Sequence, residues 1–385
     1  MSDFKKGLEG IIALESKISY IDGEKGILEY RGYRIEELAK LSYDAVVHLL
    51  LHNRIPNIAE LDQFSNTIKE RRDLDVHTEE VIHFYNFNIE AMDALLTAIS
   101  HMSHSDPDLN DNSHEANVRK AIRLIAKLPT IVAYFQRIHE GKEIVKPNEL
   151  LPHCSNFLYM LRGEVPSVLE SKIMDVDFIL SAEHELNAST FAVRVTASTL
   201  SDIHSAIISG IGTLKGVLHG GARLAVMNLL DDIGSVENTE KYIMNLIENK
   251  ERIMGFGHRV YKVVDPRANI FRDLAKKLAE EKKDMKWFEM GNIIEEVVTR
   301  ELVEKKGRPI YMNVDFYSGI IYKYLNIPPK LATAIFALGR VTGWLAHALE
   351  QYGDNRLIRP RAKYIGEHLE LKDLISQVYD DNKEE

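Results

Sequence analysis

The spacing of apolar residues constrains this chain more than any other feature. Such residues recur every three or four positions, as at Ile35, Leu38 and Leu41 or along 294–302, and long alternating runs are rare. This period matches one face of an α-helix, whereas alternation would indicate strands. The Gly- and Tyr-rich segment 20–34, YIDGEKGILEYRGYR, lacks a helical period and predicts a short hairpin. The sequence therefore predicts an all-α protein with a small β-element near its amino terminus.

Length and charge distribution predict two helical domains. A chain of 385 residues exceeds the usual size of one domain. From about residue 231 to residue 306 the sequence is strongly charged, whereas the flanking segments are apolar and rich in Ala and Gly. A smaller, more exposed domain inserted into a larger one gives that pattern. We predict a large helical domain of residues 1–221 and 326–385 and a small domain of residues 222–325.

Prolines divide the first half of the chain into helix-length pieces. A proline cannot donate a backbone hydrogen bond and favours the ends of helices. Helix boundaries are therefore expected at Pro56, Pro107, Pro129, Pro147, Pro152 and Pro166.

The composition argues against several classes of partner. Asp and Glu outnumber Lys and Arg by 58 to 48, so no basic surface is predicted for nucleic acid or an anionic membrane. The most apolar segments, 206–218 and 331–349, contain charged residues such as Lys215 and Arg340, which favours buried helices over membrane spans. The single cysteine, Cys154, and an amino terminus without a signal-peptide pattern predict a cytoplasmic protein.

Loose matches to cofactor and metal motifs fail on their spacing. The GFG segment at 255–257 has no third glycine of a dinucleotide fingerprint, and His184-Glu185 has no second histidine four positions on. The segment from Asp106 resembles a calcium loop, but its sixth position is Asp111 instead of glycine. No metal and no permanently bound cofactor are predicted.

Two arginines, Arg267 and Arg340, occupy positions where a positive charge is unfavourable unless an anion lies nearby. Asp265 and Pro266 predict a helix start, which places Arg267 in the first turn, where a cation opposes the helix dipole. Free amides and a guanidinium together form a carboxylate or phosphate site, and the alternative is a surface arginine. Arg340 is flanked by apolar residues on every helical face, so its guanidinium needs either a bound anion or a structural ion-pair partner.

Three histidines and one aspartate stand in short distinctive contexts. His184, His219 and His258 occur in EHELNAST, LHGGA and GFGHRVYK. A single histidine is more often structural than functional, so none of them decides the question alone. Asp315, in PIYMNVDFYSGII, is either a buried hydrogen-bonded acid or a general base with a tuned pKa.

Taken together, six motifs resemble those of the citrate synthase family in order and spacing. They are SAEHELNAST, LKGVLHGGA, GFGHRVYKVVDPRA, YMNVDFYSG, ALGRVTGWLAHALEQ and IRPR, and the resemblance extends to the amino-terminal IDGEKGILEYRGYRIEELA. The resemblance implies a two-domain helical fold and a homodimer like that of the shorter members. It also implies condensation of acetyl-CoA with oxaloacetate and water to citrate and CoA, by way of an enol and citryl-CoA.

The resemblance further implies a role for each motif residue. Asp315 is expected to remove a methyl proton from the acyl-CoA. His219 is expected to donate a hydrogen bond to the thioester carbonyl, and amides at a helix start would keep its imidazole neutral. His258 is expected to polarise the ketone of oxaloacetate. The implied oxaloacetate ligands are His184, Asn187, Arg267, Arg340 and Arg359, the last reaching across the dimer interface, and the implied CoA contacts are Gly255, Phe256, Gly257, Arg259 and Lys262.

Three alternatives remain beside acetyl-CoA condensation. A 2-methylcitrate synthase would use propionyl-CoA with nearly the same motifs, since one methylene changes binding by only about 1 to 3 kcal/mol. Citrate cleavage by an ATP-dependent lyase needs further machinery, for which 385 residues leave no room. A helical scaffold protein would leave Asp315, Arg267 and Arg340 without a shared purpose. We therefore predict a citrate synthase, with acetyl-CoA preferred narrowly over propionyl-CoA.

Overall fold

The computed structural model describes residues 4–84 and 89–368, and this part of the chain is built mainly from α-helices. Sixteen α-helices and three short strands within these residues confirm the all-α prediction. Among the described residues, no helix is both long and apolar enough to cross a membrane. The helices are α1 (Ile35–Leu38), α2 (Tyr43–His52), α3 (Ile58–Lys69), α4 (Val76–His83), α5 (Ala91–His104), α6 (His114–His139), α7 (His153–Arg162), α8 (Val168–Ala182), α9 (Ala188–Ser198), α10 (Ile203–Leu214), α11 (Ala222–Ile233), α12 (Val236–Glu248), α13 (Pro266–Lys282), α14 (Lys286–Val298), α15 (Val314–Tyr324) and α16 (Ala332–Gly353).

The chain divides into two compact units. One unit, Ser16–Leu357, contains all sixteen α-helices and the three strands. The other unit combines residues 1–15 with residues 358–385, and its described part includes a short 3-10 turn, Lys6–Leu8. Arg359 belongs to this second unit, and its side chain is exposed.

The predicted hairpin is present and has a third strand. β1 (Ser19–Asp22), β2 (Ile27–Tyr30) and β3 (Tyr33–Arg34) form an antiparallel sheet in sequence order, with Ser19 opposite Tyr30. The buried Tyr30 hydroxyl lies 2.9 Å from the carbonyl oxygen of Glu183, at the end of α8. The sheet is therefore fixed to the helical core at the point where α8 ends.

Helix α16 is the central buried helix that its all-round apolar sequence predicted. It packs against α6, α8, α9 and α10, and most of its residues are buried. Close approach to α8 depends on Gly339, where an added Cβ would lie 2.8 Å from the carbonyl oxygen of Phe178. The position of Arg340 next to this contact carries its guanidinium into the interior, where it is 2% exposed.

Helix α6 corrects one prediction. Pro129 lies inside this 26-residue helix, so the expected helix boundary at this proline is wrong. An interior proline removes one hydrogen bond and crowds the preceding turn, at a cost of about 3 kcal/mol or more. The neighbouring Leu128 and Ile131 are fully buried, and the Thr130 hydroxyl donates to the carbonyl oxygen of Arg72 at 2.8 Å. Burial along the whole helix outweighs the local cost.

The charged region consists of helices that pack on one another and expose polar faces. Contacts join α11 to α15, α12 to α14, and α13 to α15. The predicted boundaries of the small domain fall at the first residue of α11 and just after the last residue of α15. The division into two domains at these positions stays a prediction.

Replacing Gly339 by Ala tests the packing of α16 on α8. The added methyl group would be forced against the backbone of α8, and we expect the free energy of unfolding to fall by about 1 to 3 kcal/mol. Gly353, in the last turn of the same helix, has open space where a Cβ would lie, so Gly353→Ala should be neutral or stabilise by up to about 1 kcal/mol. Urea unfolding followed by circular dichroism compares the two variants. Equal losses would contradict the close contact.

Candidate active site

His184 lies in the connection between α8 and α9. Its backbone N–H donates to Oε1 of Glu183 at 2.9 Å, and its ring stands edge-on to that of His258, with 5.2 Å between the centroids. Nε2 of His184 is 3.3 Å from the hydroxyl oxygen of Tyr261. Burial lowers the pKa of His184 well below its ordinary value, and the positive charge of Arg267 adds to this shift. The imidazole is therefore a neutral hydrogen-bonding group.

Asn187 is the N-cap of α9. Its Oδ1 accepts the backbone N–H of Thr190 at 3.1 Å and lies 2.7 Å from the Ser189 hydroxyl, whose single proton it shares with Nε2 of His219. Its Nδ2 faces the carbonyl oxygen of His184 at 3.4 Å. These contacts tie the His184 connection to the first turn of α9.

His219 lies in the turn 215–221 that precedes α11. The Ser189 backbone N–H donates to His219 Nε2 at 3.3 Å, and the Ser189 hydroxyl is 2.8 Å from the same nitrogen. A backbone amide can only donate, so Nε2 carries no proton and the neutral ring keeps its proton on Nδ1. Burial lowers the pKa of His219 to about 4, and the charge of Arg340 contributes. The helix-start amide that was expected to keep this imidazole neutral belongs to α9.

His258 has the opposite tautomer. Its Nδ1 accepts the backbone N–H groups of Val260 at 3.0 Å and Tyr261 at 3.2 Å. The ring proton of the neutral form is therefore on Nε2. Burial, and in smaller part the charge of Arg267, lower the pKa of His258 to about 4. Above about pH 5 the Nε2–H group of His258 is a neutral donor.

The loop that carries His258 depends on two glycines. Gly255 and Gly257 have φ values of +84° and +83°, a region that favours glycine. A Cβ on Gly255 would also come within 2.8 Å of the Phe316 ring. Phe256 packs edge-on against the same ring, with 4.7 Å between the centroids. The loop conformation therefore requires glycine at its first position for two independent reasons.

Asn313 joins this loop to α15. Its backbone N–H donates to the carbonyl oxygen of Gly255 at 2.9 Å, and its Nδ2 donates to that of Gly257 at 2.9 Å. Its Oδ1 accepts the backbone N–H of Asp315 at 3.0 Å, as the N-cap of α15. One side chain thus fixes both the histidine loop and the turn that carries Asp315.

Asp315 lies in the first turn of α15, where the helix dipole favours a carboxylate. Its side chain is 19% exposed, and Oδ1 is 3.7 Å from Nε of Arg223. Burial raises the pKa of Asp315, while the charges of Arg223 and Arg267 oppose the rise. A partly desolvated carboxylate of this kind is a stronger base than a solvated one, and it can still be ionised near neutral pH.

The predicted start of α13 is confirmed and Arg267 is buried. Asp265 caps the helix and accepts the Arg267 backbone N–H at 3.0 Å. The same carboxylate binds the Arg267 guanidinium through Nε at 3.0 Å and Nη2 at 2.7 Å. Arg267 is 2% exposed, so the alternative of a surface arginine is wrong. Nη1 faces the carbonyl oxygen of Leu180 at 3.4 Å.

Arg340 is the less satisfied of the two predicted arginines. Its Nε donates to the carbonyl oxygen of Ser181 at 2.7 Å, and its guanidinium lies 4.7 Å from the centroid of the Phe336 ring. Within the described ranges, Arg340 forms no ion pair with a carboxylate. Burial lowers the pKa of Arg340 to about 10, against the attraction of Glu183. A buried guanidinium whose charge is not paired with a carboxylate of the described residues suits a ligand carboxylate.

The remaining predicted residues, Lys262, Arg259 and Arg359, are exposed. The Lys262 backbone N–H donates to the carbonyl oxygen of Gly23, and the charge of Lys262 reaches His258. Arg359 lies in the other compact unit. Across residues 4–84 and 89–368, no group of three or more His, Cys, Asp or Glu side chains could hold a metal ion.

Several residues that contact the predicted ones were not predicted, among them Ser189, Arg223, Tyr261 and Asn313. Ser189, Tyr261 and Asn313 lie inside quoted motifs, but no property of a lone Ser, Tyr or Asn marks it as a contact. Arg223 carried a usable signal, because it is a cation in the first turn of a helix, the argument applied to Arg267.

Comparison with known sequences gives one consistent family. A profile described as citrate synthase, C-terminal domain, matches residues 7–361. The chain is 46% identical to a citrate synthase of Synechocystis sp., covering 95% of this chain and 91% of the relative. It is 48% identical to citrate synthase 2 of Bacillus subtilis, covering 94% and 95%. A citrate/2-methylcitrate synthase of B. subtilis is 38% identical, covering 96% and 98%.

Solved structures share the fold. The citrate synthase of Pyrobaculum aerophilum has a TM-score of 0.88 and 40% identity, covering 96% of this chain and 95% of its own. A ternary complex of citrate synthase from Thermoplasma acidophilum with carboxymethyl coenzyme A and oxaloacetate has a TM-score of 0.89 and 33% identity, covering 96% and 98%. Fold and site together define an all-α acyl-transferring enzyme. The chain belongs to the citrate synthase family, as its six motifs predicted.

The two tautomers give a spectroscopic prediction. In a 15N-resolved histidine spectrum at about pH 7, His219 should be neutral with its proton on Nδ1, and His258 neutral with its proton on Nε2. Because burial depresses both pKa values to about 4, neither ring should protonate until the pH falls below about 5. Protonation of either ring at about pH 6 or above would contradict the assignment.

Proposed function

We propose that this enzyme condenses acetyl-CoA with oxaloacetate and water to give citrate and CoA, with Asp315 as the base. One observation carries the proposal: a partly desolvated carboxylate lies in the same buried cluster as neutral imidazoles whose protons are on opposite ring nitrogens. The charges of Arg267 and Arg340 both lower the pKa of Asp315, and the charge of Arg340 also lowers that of His219. The cluster therefore combines a base with two neutral donors and buried cations.

In the proposed reaction Asp315 accepts a proton, whereas His219 and His258 donate hydrogen bonds. Asp315 would remove a methyl proton from acetyl-CoA while Nδ1–H of His219 donates to the thioester oxygen, because a carboxylate alone is too weak a base for this proton. The enol carbon then attacks the ketone carbon of oxaloacetate, and Nε2–H of His258 donates to the developing alkoxide. Water finally cleaves the thioester of citryl-CoA, releasing CoA and the third carboxylate of citrate.

Oxaloacetate would be held mainly by Arg340. Arg267 already binds Asp265 through Nε and Nη2, whereas Arg340 uses Nε for a carbonyl oxygen. The terminal nitrogens of Arg340 can therefore meet a carboxylate in the bidentate geometry that guanidinium groups favour. His184 and Asn187 line the same connection and would complete the site with Arg267.

Acyl-CoA would lie along the loop 255–262. Gly255, Phe256 and Gly257 would contact the adenine end of CoA, and Lys262 and Arg259 would face the CoA phosphates. A propionyl group adds one methylene, which a pocket discriminates by only about 1 to 3 kcal/mol. The relative that carries both citrate and 2-methylcitrate synthase names makes propionyl-CoA the second candidate substrate.

Closure of two domains would assemble the site. The small domain, 222–325, carries His258, Arg267 and Asp315, whereas His219 and Arg340 belong to the large domain, 1–221 and 326–385. Oxaloacetate would bind first, favour the closed form and exclude water before the methyl proton is removed. A cytoplasmic location fits this substrate pair and the single cysteine.

Release of CoA thiol, followed with oxaloacetate and either acetyl-CoA or propionyl-CoA, tests the proposal. Asp315→Asn should lower the condensation rate on the order of a hundredfold or more, because the amide keeps the shape but cannot accept the proton. Oxaloacetate affinity should be nearly unchanged. Asp273→Asn, at an exposed position on α13, is the matched control and should retain full activity. Near-normal turnover of Asp315→Asn would exclude this residue as the base.

Arg359 is proposed to complete the site of the partner subunit in a homodimer. Asp315→Ala and Arg359→Ala chains should each be nearly inactive alone. A mixed dimer contains one site with both changes and one site with neither, so it should recover about half of the wild-type activity. Co-expression with two different tags isolates the mixed dimer. Activity at the level of the single variants would mean that Arg359 serves its own subunit.

A further inference from the structure

Arg223 is a fully buried cation next to the proposed base. It lies in the first turn of α11, four residues after His219, and is 1% exposed. A cation at this end of a helix opposes the helix dipole, and a buried guanidinium also loses its hydration. Burial of this cation therefore costs free energy. The proposed oxaloacetate and CoA contacts do not explain why the chain has an arginine here.

One side of the guanidinium is held rigidly. Nη1 of Arg223 donates to Oδ1 of Asp177 at 2.8 Å and to the hydroxyl oxygen of Tyr322, while the Tyr322 hydroxyl donates to Oδ2 of Asp177. The guanidinium also lies 4.9 Å from the centroid of the Tyr322 ring and 5.3 Å from that of the Phe336 ring. Asp177, Tyr322 and the aromatic rings fix the plane of Arg223.

The other side faces the proposed base. Nε of Arg223 is buried and has no hydrogen-bond partner in the described part of the chain. This nitrogen lies 3.7 Å from Oδ1 of Asp315, close enough for electrostatic attraction and too far for a hydrogen bond. Such a distance stabilises the charge of Asp315 without occupying the lone pair that would accept a proton.

We infer that Arg223 is a positioning residue for the base: held by Asp177 and Tyr322, it keeps the Asp315 carboxylate ionised and correctly oriented in a desolvated site. This inference rests on the proposed role of Asp315. Arg223 is not among the proposed contacts of oxaloacetate or acyl-CoA and would act through Asp315.

The other charges around Asp315 do not replace Arg223. Arg267 on α13 and Arg340 on α16 also attract the carboxylate, and Asp265 at the start of α13 repels it. Arg267 is paired with Asp265, a carboxylate that itself repels Asp315, so the attraction of Arg267 is partly cancelled. Among these groups, Arg223 exerts the largest single attraction on Asp315.

The pH dependence of kcat/KM for acetyl-CoA, at saturating oxaloacetate, tests the inference. In Arg223→Gln, the acid limb should move up by about 1 to 2 pH units, because a cation within about 4 to 6 Å lowers a carboxyl pKa by that amount. The affinity for oxaloacetate should change much less, and the high-pH plateau should fall to about the level of Arg223→Lys, since both variants lose the planar contacts. Arg223→Lys keeps the charge without the planar contacts, so its acid limb should stay near that of wild type while kcat falls.

Asp177→Asn should shift the acid limb in the direction opposite to that of Arg223→Gln. It leaves the charge of Arg223 uncompensated, so the acid limb should move to lower pH. This shift can be measured even if Arg223→Gln does not fold. An unchanged acid limb in a folded Arg223→Gln, or an upward shift in Asp177→Asn, would overturn the inference. If Asp315→Asn were also fully active, the proposed function would fail instead, so the two failures are distinguishable.

Discussion

The last turn of α8 receives three buried groups that the rest of the site depends on. The final carbonyls of a helix have no partner within the helix and carry partial negative charge. The carbonyl oxygen of Ser181 accepts from Arg340, that of Leu180 faces Arg267, and that of Ile179 lies 3.1 Å from the Tyr30 hydroxyl. One helix end thus partly compensates two desolvated guanidinium groups and holds the β-sheet.

These cations explain why the histidines are neutral. Arg267 and Arg340 act on His184, and each acts on one of the proposed catalytic imidazoles, in addition to the larger effect of burial. A site that must bind a dicarboxylate therefore places its positive charge on arginines, which do not deprotonate near neutral pH. The imidazoles remain neutral donors whose tautomers are set by backbone amides, and the remaining buried base, Asp315, faces Arg223.

Local sequence signals predicted much of this arrangement and distant contacts did not. The cap at Asp265 and the buried helix around Arg340 follow from residues within one or two turns, and the structure confirms both. Pro129 was misassigned because burial along α6 outweighs a local propensity. Arg223 carried the same first-turn signal as Arg267, but its pairing with Asp177 could not be predicted, because Asp177 is 46 residues earlier in the chain and no local pattern joins the two. The family motifs predicted that Asp315 and the histidines share one site and that His219 is neutral, while the tautomers of His219 and His258 required contacts that only the folded chain contains.

Oxaloacetate is expected to be bound by the guanidinium charges of Arg267 and Arg340, with His184, His219 and His258 staying neutral. Calorimetric titration of oxaloacetate at about pH 8, in two buffers with different ionisation enthalpies, measures proton uptake on binding directly. We expect the same binding heat in both buffers once ligand dilution is subtracted. Equal heats mean that no proton is taken up from the buffer. Uptake of about one proton per site would show that a histidine must become charged to hold the substrate, and would contradict the account.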